Sequence, residues 1–260
     1  MRRTALAALC IAAAATAGLT GCQPGQDKAD TKTGTSVEPS KSAEKKEAFA
    51  GLTGGEIADR ALDATSGATS LRMKGNIPDE ESGHTIDLDL ALNKKGECAG
   101  TLGMGGQGKA DLVKTGDLVY MKFDEEFVRE MSKGQSKSTI DTTVALLAGK
   151  WTKTKATGAD AKDFAGMCDL SQVLEGAEDS DSDASRGKTT TVDGRPAIVL
   201  NEKDGKDRYT LYVATEGKPY LLRIDSTGTD PGSVTFSDFD KPVPVQKPTG
   251  NVLDLDALGS

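Results

Sequence analysis

The sequence predicts an α+β protein in which one long antiparallel sheet carries helices on one face. Apolar and polar side chains alternate over many short segments, which is the pattern of strands with one buried face. Glycine-containing turns join neighbouring segments, so these strands are expected to pair antiparallel. A helical stretch separates two blocks of about five strands each, and one further helix precedes them. We therefore expect a single domain over residues 52–245.

The first block of strands follows an amphipathic helix. Thr53 and Glu56 have the spacing of a capping box, and apolar residues then recur at helical intervals, which predicts a helix over 54–66. Beyond Gly67 the period of the apolar pattern changes to two. The strands expected in this block are 71–77, 84–93, 98–104, 109–114 and 118–123.

A helical middle and a second block of strands complete the domain. Asp124 can cap one helix, and Ser138 or Thr139 can cap a second helix that ends near Gly149. Further helical turns are expected over 164–174. The strands expected in the second block are 189–192, 195–201, 209–214, 220–225 and 233–239.

The N-terminal residues have the pattern of a secretory signal. Arg2 and Arg3 precede an apolar run that is too short to span a membrane. The run ends in LTGC at 19–22, which resembles the bacterial lipoprotein signal, in which lipid is attached to the cysteine and the chain is cleaved before it. The resemblance implies a signal peptide over 1–21, palmitate on Cys22, and a lipid-anchored protein at the extracytoplasmic face of the cell membrane. The alternative is an ordinary cleaved signal followed by an incidental cysteine.

The segments that flank the predicted domain are polar or rich in proline. Residues 22–51 contain few apolar side chains and cannot bury enough surface to order themselves, so they are expected to form a disordered tether from the lipidated cysteine. Prolines at 242, 244 and 248 oppose continued strand pairing. The residues that follow, 246–260, are therefore expected to form an extended C-terminal tail.

The charge of the chain excludes one class of partner. Its formal net charge is −8, and loss of the predicted signal peptide, which carries two arginines and no acidic residue, would change that charge to −10. Nucleic-acid-binding domains present a basic surface, so no nucleic-acid partner is expected. Aromatic residues make up only 4% of the chain, which also argues against carbohydrate sites built on aromatic stacking.

The remaining cysteines favour a disulfide. Cys10 leaves with the predicted signal peptide, so Cys98 and Cys168 are the pair in the exported domain. A redox or metal site is the alternative, but the chain has no C-x-x-C spacing and only one histidine. A structural Cys98–Cys168 disulfide is therefore the prediction.

No motif nominates an active site, a metal site or a cofactor. The sequence GMGGQG at 103–108 matches G-x-G-x-x-G, but a predicted strand follows it where a dinucleotide site needs a helix. The acidic run at 179–183 lacks the glycine and glutamate of a calcium loop. His84 has no neighbouring nucleophile motif. We therefore expect a protein that is not an enzyme and binds no cofactor.

Several strand segments resemble the LppX/LprG family of bacterial lipoproteins, which is related in fold to the LolA and LolB lipoprotein carriers. The segments that carry the resemblance are GTLGMGGQGKADLVKTGDLVYMKF at 100–123, GKWTKT at 149–154, TVDGRPAIVL at 191–200, YTLYVATEGKPYLLRI at 209–224 and SVTFSDFDKPVPVQKP at 233–248. The resemblance implies a strongly curved half-barrel sheet of about ten strands wrapped over helices, and an apolar cavity for the acyl chains of lipids or glycolipids. The cysteine pair is not part of the family pattern, and the identity of the lipid does not transfer.

This resemblance gives the alternating apolar residues a candidate role as cavity lining. The candidates are Ile86, Leu88, Leu90, Leu92, Val119, Met121, Phe123, Leu211, Val213, Leu222 and Ile224. The alternative is that these side chains pack fully against the helices as ordinary core. The function hypothesis is binding or transfer of acyl lipids or glycolipids in the cell envelope. The alternative function is a non-enzymatic interaction or sensor module that uses the same fold to meet an envelope protein partner.

Overall fold

A computed structural model describes residues 48–79, 84–158, 161–178, 183–229 and 231–258. These residues belong to one compact unit, Lys46–Ser260. The predicted signal peptide, Cys22 and most of the predicted tether lie outside the described residues, as does most of the acidic run at 179–183. Among the helices that are described, none is long and apolar enough to cross a membrane.

The strands form one sheet, and it confirms the predicted α+β class. Their bounds are β1 Ser70–Asp79, β2 His84–Asn93, β3 Cys98–Met104, β4 Lys109–Thr115, β5 Leu118–Phe123, β6 Trp151–Lys155, β7 Ser185–Val192, β8 Arg195–Asp204, β9 Asp207–Ala214, β10 Leu221–Thr227, β11 Gly232–Ser237 and β12 Val252–Asp254. The order across this 12-stranded sheet is β12-β6-β5-β4-β3-β2-β1-β11-β10-β9-β8-β7. The two predicted blocks therefore join at the antiparallel pair of β1 and β11.

The strand β12 was not expected. It pairs parallel with β6 at one edge of the sheet, and Lys153 forms an ion pair with Asp254 at 2.9 Å. Asp256 adds to the contact because its carboxylate accepts a hydrogen bond from the Thr154 hydroxyl at 2.8 Å. A strand of 3 residues leaves too short an alternation to recognise in a sequence.

The helices are α1 Gly54–Ser66, α2 Glu125–Met131, α3 Lys137–Leu147, α4 Lys162–Gly166 and α5 Leu170–Glu178. The predicted capping box is present: the Thr53 hydroxyl accepts from the Glu56 amide at 3.2 Å, and the Glu56 carboxylate accepts from the Thr53 amide at 2.7 Å. Asp124 caps α2 as predicted. The predicted helix that ends near Gly149 is present as α3, but its N-cap was predicted wrongly: Ser136 caps it and accepts from the Thr139 amide at 3.2 Å.

Two helices, α1 and α5, cover one end of the sheet. From α1, Ile57, Ala58 and Ala61 are buried against the sheet, and the Leu221 amide of β10 donates to the Thr65 hydroxyl at 2.9 Å. The predicted disulfide is present and ties β3 to the residues just before α5, with 5.2 Å between the Cα atoms of Cys98 and Cys168. Both cysteines are fully buried, so the disulfide is part of the core.

The residues that follow β11 are fixed by one carboxylate. Asp240 accepts hydrogen bonds from the Tyr220 hydroxyl at 2.7 Å, the Thr69 amide at 2.9 Å and the Lys218 ammonium at 3.1 Å. The ring of Phe239 stacks on Tyr220 with 4.0 Å between the ring centroids. These hydrogen bonds hold the pKa of Asp240 well below its ordinary value, and the bond from Tyr220 contributes most to this lowering.

Candidate functional site

The strand register places the predicted apolar residues on one face of the sheet, which we call the inner face because it packs against α1. Side chains alternate between faces along a strand, and in β1 and β2 apolar residues face each other in the pairs Leu71–Leu92, Met73–Leu90 and Ile77–Ile86. The predicted lining residues that lie in the main core of this face are Ile86, Leu88, Leu90, Leu92, Val119, Met121, Phe123, Leu211, Val213 and Ile224. All but one of the predicted set are therefore brought together.

Leu222 is the exception. The register between β9 and β10 shifts between Leu221 and Arg223, which is a β-bulge. Leu221 therefore joins the main core, while Leu222 packs in a second cluster with Tyr220 and Val192. The assignment of Leu222 to the cavity lining was wrong because the bulge changes which residue points inward.

One end of the inner face is filled core. Leu92, Val119 and Val213 each have a relative exposure of 0%. A side chain that solvent cannot touch has protein atoms on every side, so it does not line a space large enough for a ligand. These three residues are therefore ordinary core, as the alternative interpretation of the predicted lining proposed.

The other end of the inner face is only partly covered, and we call it the open end. Its apolar side chains pack against the core but remain half-buried: Ile77, Ile86, Met104, Tyr209, Ile224 and Val234. At the border of the open end, Leu88 and Leu211, which pairs with Ile224, keep exposures of 7% and 6%. The inner face thus changes from closed to accessible along the length of the same strands.

Two glycines lie on the inner face between these ends. Gly75 of β1 faces Val234 and Leu88, and Gly100 of β3 faces Leu90. A Cβ atom at either glycine would clash with the backbone of the neighbouring strand. Glycines within strands allow this close approach and let a sheet bend, and they leave no side chain to fill the concave side.

The helical hairpin of α2 and α3 covers the inner face at β5. The Phe127 ring of α2 stacks on Phe123 with 5.3 Å between the centroids. Val144 and Leu147 of α3 are half-buried against the core, but α3 contains no fully buried residue. The cover at this edge is therefore thin compared with α1.

The described chain begins at the opposite edge of the inner face. Arg186 of β7 donates hydrogen bonds to the carbonyls of Phe49 at 2.7 Å and Leu52 at 2.8 Å. Phe49 and Leu52 are half-buried against the main core. The end of the predicted tether is thus bound beside the inner face.

Several residues of the open end were not singled out from the sequence. In the sequence, Ile77, Met104, Val234 and Tyr209 were recognised only as strand residues. The signal that could have found them is antiparallel register, because Ile86 was in the predicted set and faces both Ile77 and Met104. The interruption of strand patterns by Gly75 and Gly100 was a second signal.

The open end is an apolar surface. Its side chains offer contact area, with the Tyr209 phenol as the one polar group among them. Within the described residues, no group of three or more His, Cys, Asp or Glu side chains is placed to hold a metal ion. What this arrangement can do chemically is exclude water from an apolar ligand.

Several solved structures are similar to this chain. LprF from Mycobacterium bovis is 13% identical, with 76% of this chain covering 97% of that one at a TM-score of 0.52. The Mycobacterium tuberculosis lipoprotein LppX is 15% identical, with coverages of 74% and 98% and a TM-score of 0.48. MucB of Pseudomonas aeruginosa, solved with MucA, is 11% identical, with coverages of 76% and 61% and a TM-score of 0.31.

No family profile and no curated protein sequence matches the chain. The comparison therefore rests on the structural similarity to LprF. At 13% identity, that similarity shows the fold alone. The long, open sheet with helices on its inner face is the architecture that the sequence resemblance implied. The chain has the LppX/LprG-type lipoprotein fold.

Proposed function

We propose that this protein is an exported lipoprotein, anchored to the membrane through Cys22, that binds acyl lipids or glycolipids at the open end of its inner face. The observation that carries the proposal is the half-buried state of the apolar side chains there, Ile77, Ile86 and Ile224 among them. Filled core at the other end of the same strands shows that this sheet can be covered completely. The incomplete cover at the open end is therefore a local property.

The physical basis for binding is burial of apolar area. Each methylene group removed from water contributes about 0.8 kcal/mol, so ten methylenes of an acyl chain would contribute about 8 kcal/mol before the entropy of ordering the chain is subtracted. The side chains of the open end would gain from the same contact. Gly75 and Gly100 support the proposal because strand positions without side chains leave space on the inner face for an acyl chain.

The rest of the proposal concerns location and chain organisation. Residues 1–21 would be removed as a signal peptide, and diacylation of Cys22 would supply more than one lipid chain, as stable membrane retention requires. The buried Cys98–Cys168 disulfide supports export because such bonds persist in oxidising compartments. Binding without chemical change is the proposed activity, so the protein would not be an enzyme.

Lipid content of the purified protein tests the proposal. The full chain carrying Cys22→Ala would lack acyl chains of its own, so any bound acyl lipid must be a ligand. We expect native mass spectrometry of this variant, purified from the soluble exported fraction, to show a lipid adduct that organic extraction removes. A chain that is lipid-free after purification and binds no fatty acid in titration would contradict the proposal.

A further inference from the structure

The described chain begins at a fixed point on the domain. Arg186 of β7 donates hydrogen bonds to the carbonyls of Phe49 at 2.7 Å, Leu52 at 2.8 Å and Ala48 at 3.4 Å. The Leu52 amide also donates to the Phe49 carbonyl at 3.1 Å, which closes a turn. Phe49 has a φ of 61°, a conformation that a bulky residue keeps only where its contacts hold it. The last residues of the predicted tether therefore have a defined place on the domain.

Strand register puts this place beside the open end. Residues that face each other on neighbouring strands lie on the same side of a sheet, and one such row contains Arg186, Leu200, Leu211, Ile224 and Val234. Ile224 belongs to the open end and lies three strands away from Arg186. Neighbouring strands are about 4.8 Å apart, so the distance along the sheet is about 14 Å. One acyl chain spans a similar length, about 15 Å, which is half the hydrocarbon core of a bilayer.

The length of the predicted tether allows the Cys22 lipid to reach the same place. Cys22 lies 26 residues before Ala48, and a flexible chain of that length has a root-mean-square end-to-end distance of about 25–31 Å. A linker whose length is similar to the span gives an effective concentration in the millimolar range. The lipid of a second copy would reach that concentration only in a millimolar protein solution. The chain's own lipid is therefore the favoured occupant.

We propose that the open end takes an acyl chain of the protein's own Cys22 lipid when the protein is off the membrane, and releases it when the anchor enters a bilayer. In water, this contact removes the acyl chain and the half-buried side chains from solvent. In a bilayer the anchor is already surrounded by hydrocarbon, so its transfer to the open end gains little and the site is available to another lipid. The inference rests on the proposed function, because it requires lipid on Cys22 and acyl binding at the open end.

Competition with a fluorescent fatty acid, cis-parinaric acid, tests self-occupancy. The native lipidated chain, freed of detergent, and the full chain carrying Cys22→Ala are titrated in parallel. For an effective concentration of about 1 mM and a dissociation constant of about 10 µM, the chain's own lipid would weaken probe binding about 100-fold. We therefore expect Cys22→Ala to bind the probe about 100-fold more tightly than the lipidated chain does. Equal affinities would overturn self-occupancy and leave the proposed function in place, whereas no binding to Cys22→Ala would overturn both.

Photocross-linking from the anchor identifies the occupant directly. Cells supplied with a fatty acid that carries a diazirine would place the photoreactive chain on Cys22. In the detergent-free lipidated chain, cross-links should join this lipid to Ile86 and Ile224 of the same molecule, with a yield that is independent of protein concentration. In phosphatidylcholine vesicles the yield should fall at least tenfold. Cross-links only between two molecules, or equal yields in water and in vesicles, would contradict the proposal.

Arginine variants of the lipidated chain supply a matched control. Ile86→Arg places a charge in the site, so the anchor should be expelled and the detergent-free chain should self-associate through its exposed acyl chains. Thr85→Arg changes the opposite face and should leave the chain as monomeric as the native protein. Sedimentation velocity measures the association, and thermal melts show that both variants are folded. Ile86→Arg that is folded and still monomeric without detergent would show that the open end does not hold the anchor.

Discussion

Ile86 and Leu92 lie on the inner face of the same strand and differ mainly in cover, so arginine at each position separates a binding surface from filled core. Leu92 has an exposure of 0%, and arginine there would be a buried unpaired charge. Such a charge costs about 3–5 kcal/mol, out of a total stability of about 5–15 kcal/mol. For a domain of this size, that corresponds to a fall of about 10 °C in the unfolding midpoint.

Ile86 is half-buried, so arginine there can extend its guanidinium to water. We expect Ile86→Arg to change stability by about 1 kcal/mol or less, which is a shift of about 2–4 °C. The same charge would meet the acyl chain at the open end, and each 1.4 kcal/mol of lost contact is about a tenfold loss of lipid affinity. Ile86→Arg should therefore be folded and depleted of lipid.

The assay measures both properties on the same samples. Fluorescence of Trp151, the single tryptophan, follows thermal unfolding, and native mass spectrometry gives the fraction of lipid-bound protein. Thr85→Arg is the matched control, because Thr85 is the neighbouring half-buried residue on the other face. Full lipid occupancy in Ile86→Arg, or unfolding of Ile86→Arg to the extent of Leu92→Arg, would refute the distinction between the two ends.

Further predictions concern the anchor, the disulfide and acid stability. Labelled palmitate should enter the native chain but not Cys22→Ala, which should also leave the membrane fraction; an unlabelled native chain would contradict acylation. Reduction of Cys98–Cys168, with a separation of 70 residues, should lower the unfolding midpoint by the equivalent of about 4 kcal/mol, and an unchanged midpoint would contradict this. The pKa of Asp240 lies below its ordinary value of 3.8, so the ionised carboxylate stabilises the fold fully above pH 3.8, and this stabilisation is lost as the pH falls below 3.8 through the lowered pKa. Asp240→Asn should therefore be less stable than the native chain at neutral pH and should lose less stability on acidification.

The strands were predictable because the information that defines them is local. Alternation along β2 and the Asp193-Gly194 turn, where both residues have positive φ, can be recognised within ten residues of sequence. The Thr53 capping box is equally local and was confirmed. The single long sheet followed from the order of these elements, and the resemblance to LppX/LprG proteins added its curvature, which local patterns do not require.

What could not be predicted depends on long-range contacts. β12 forms only because its 3 residues meet β6 far away in sequence. The bulge beside Leu222 turns that side chain away from the inner face, and the apolar pattern of the sequence does not reveal it. Whether Leu92 or Ile86 is covered depends on where α1 and α5 lie over the sheet, and strand alternation carries no information about that.

Photolabelling with a fatty acid that carries a diazirine on its acyl chain tests the central claim most directly. Cross-linked residues in the full chain carrying Cys22→Ala would be located by peptide mass spectrometry. We predict labels at Ile77, Ile86 and Ile224 of the open end, competed by unlabelled fatty acid, with none at Thr85 on the opposite face. Labels confined to the opposite face, or labels at the open end that excess fatty acid does not reduce, would contradict acyl-lipid binding at the inner face.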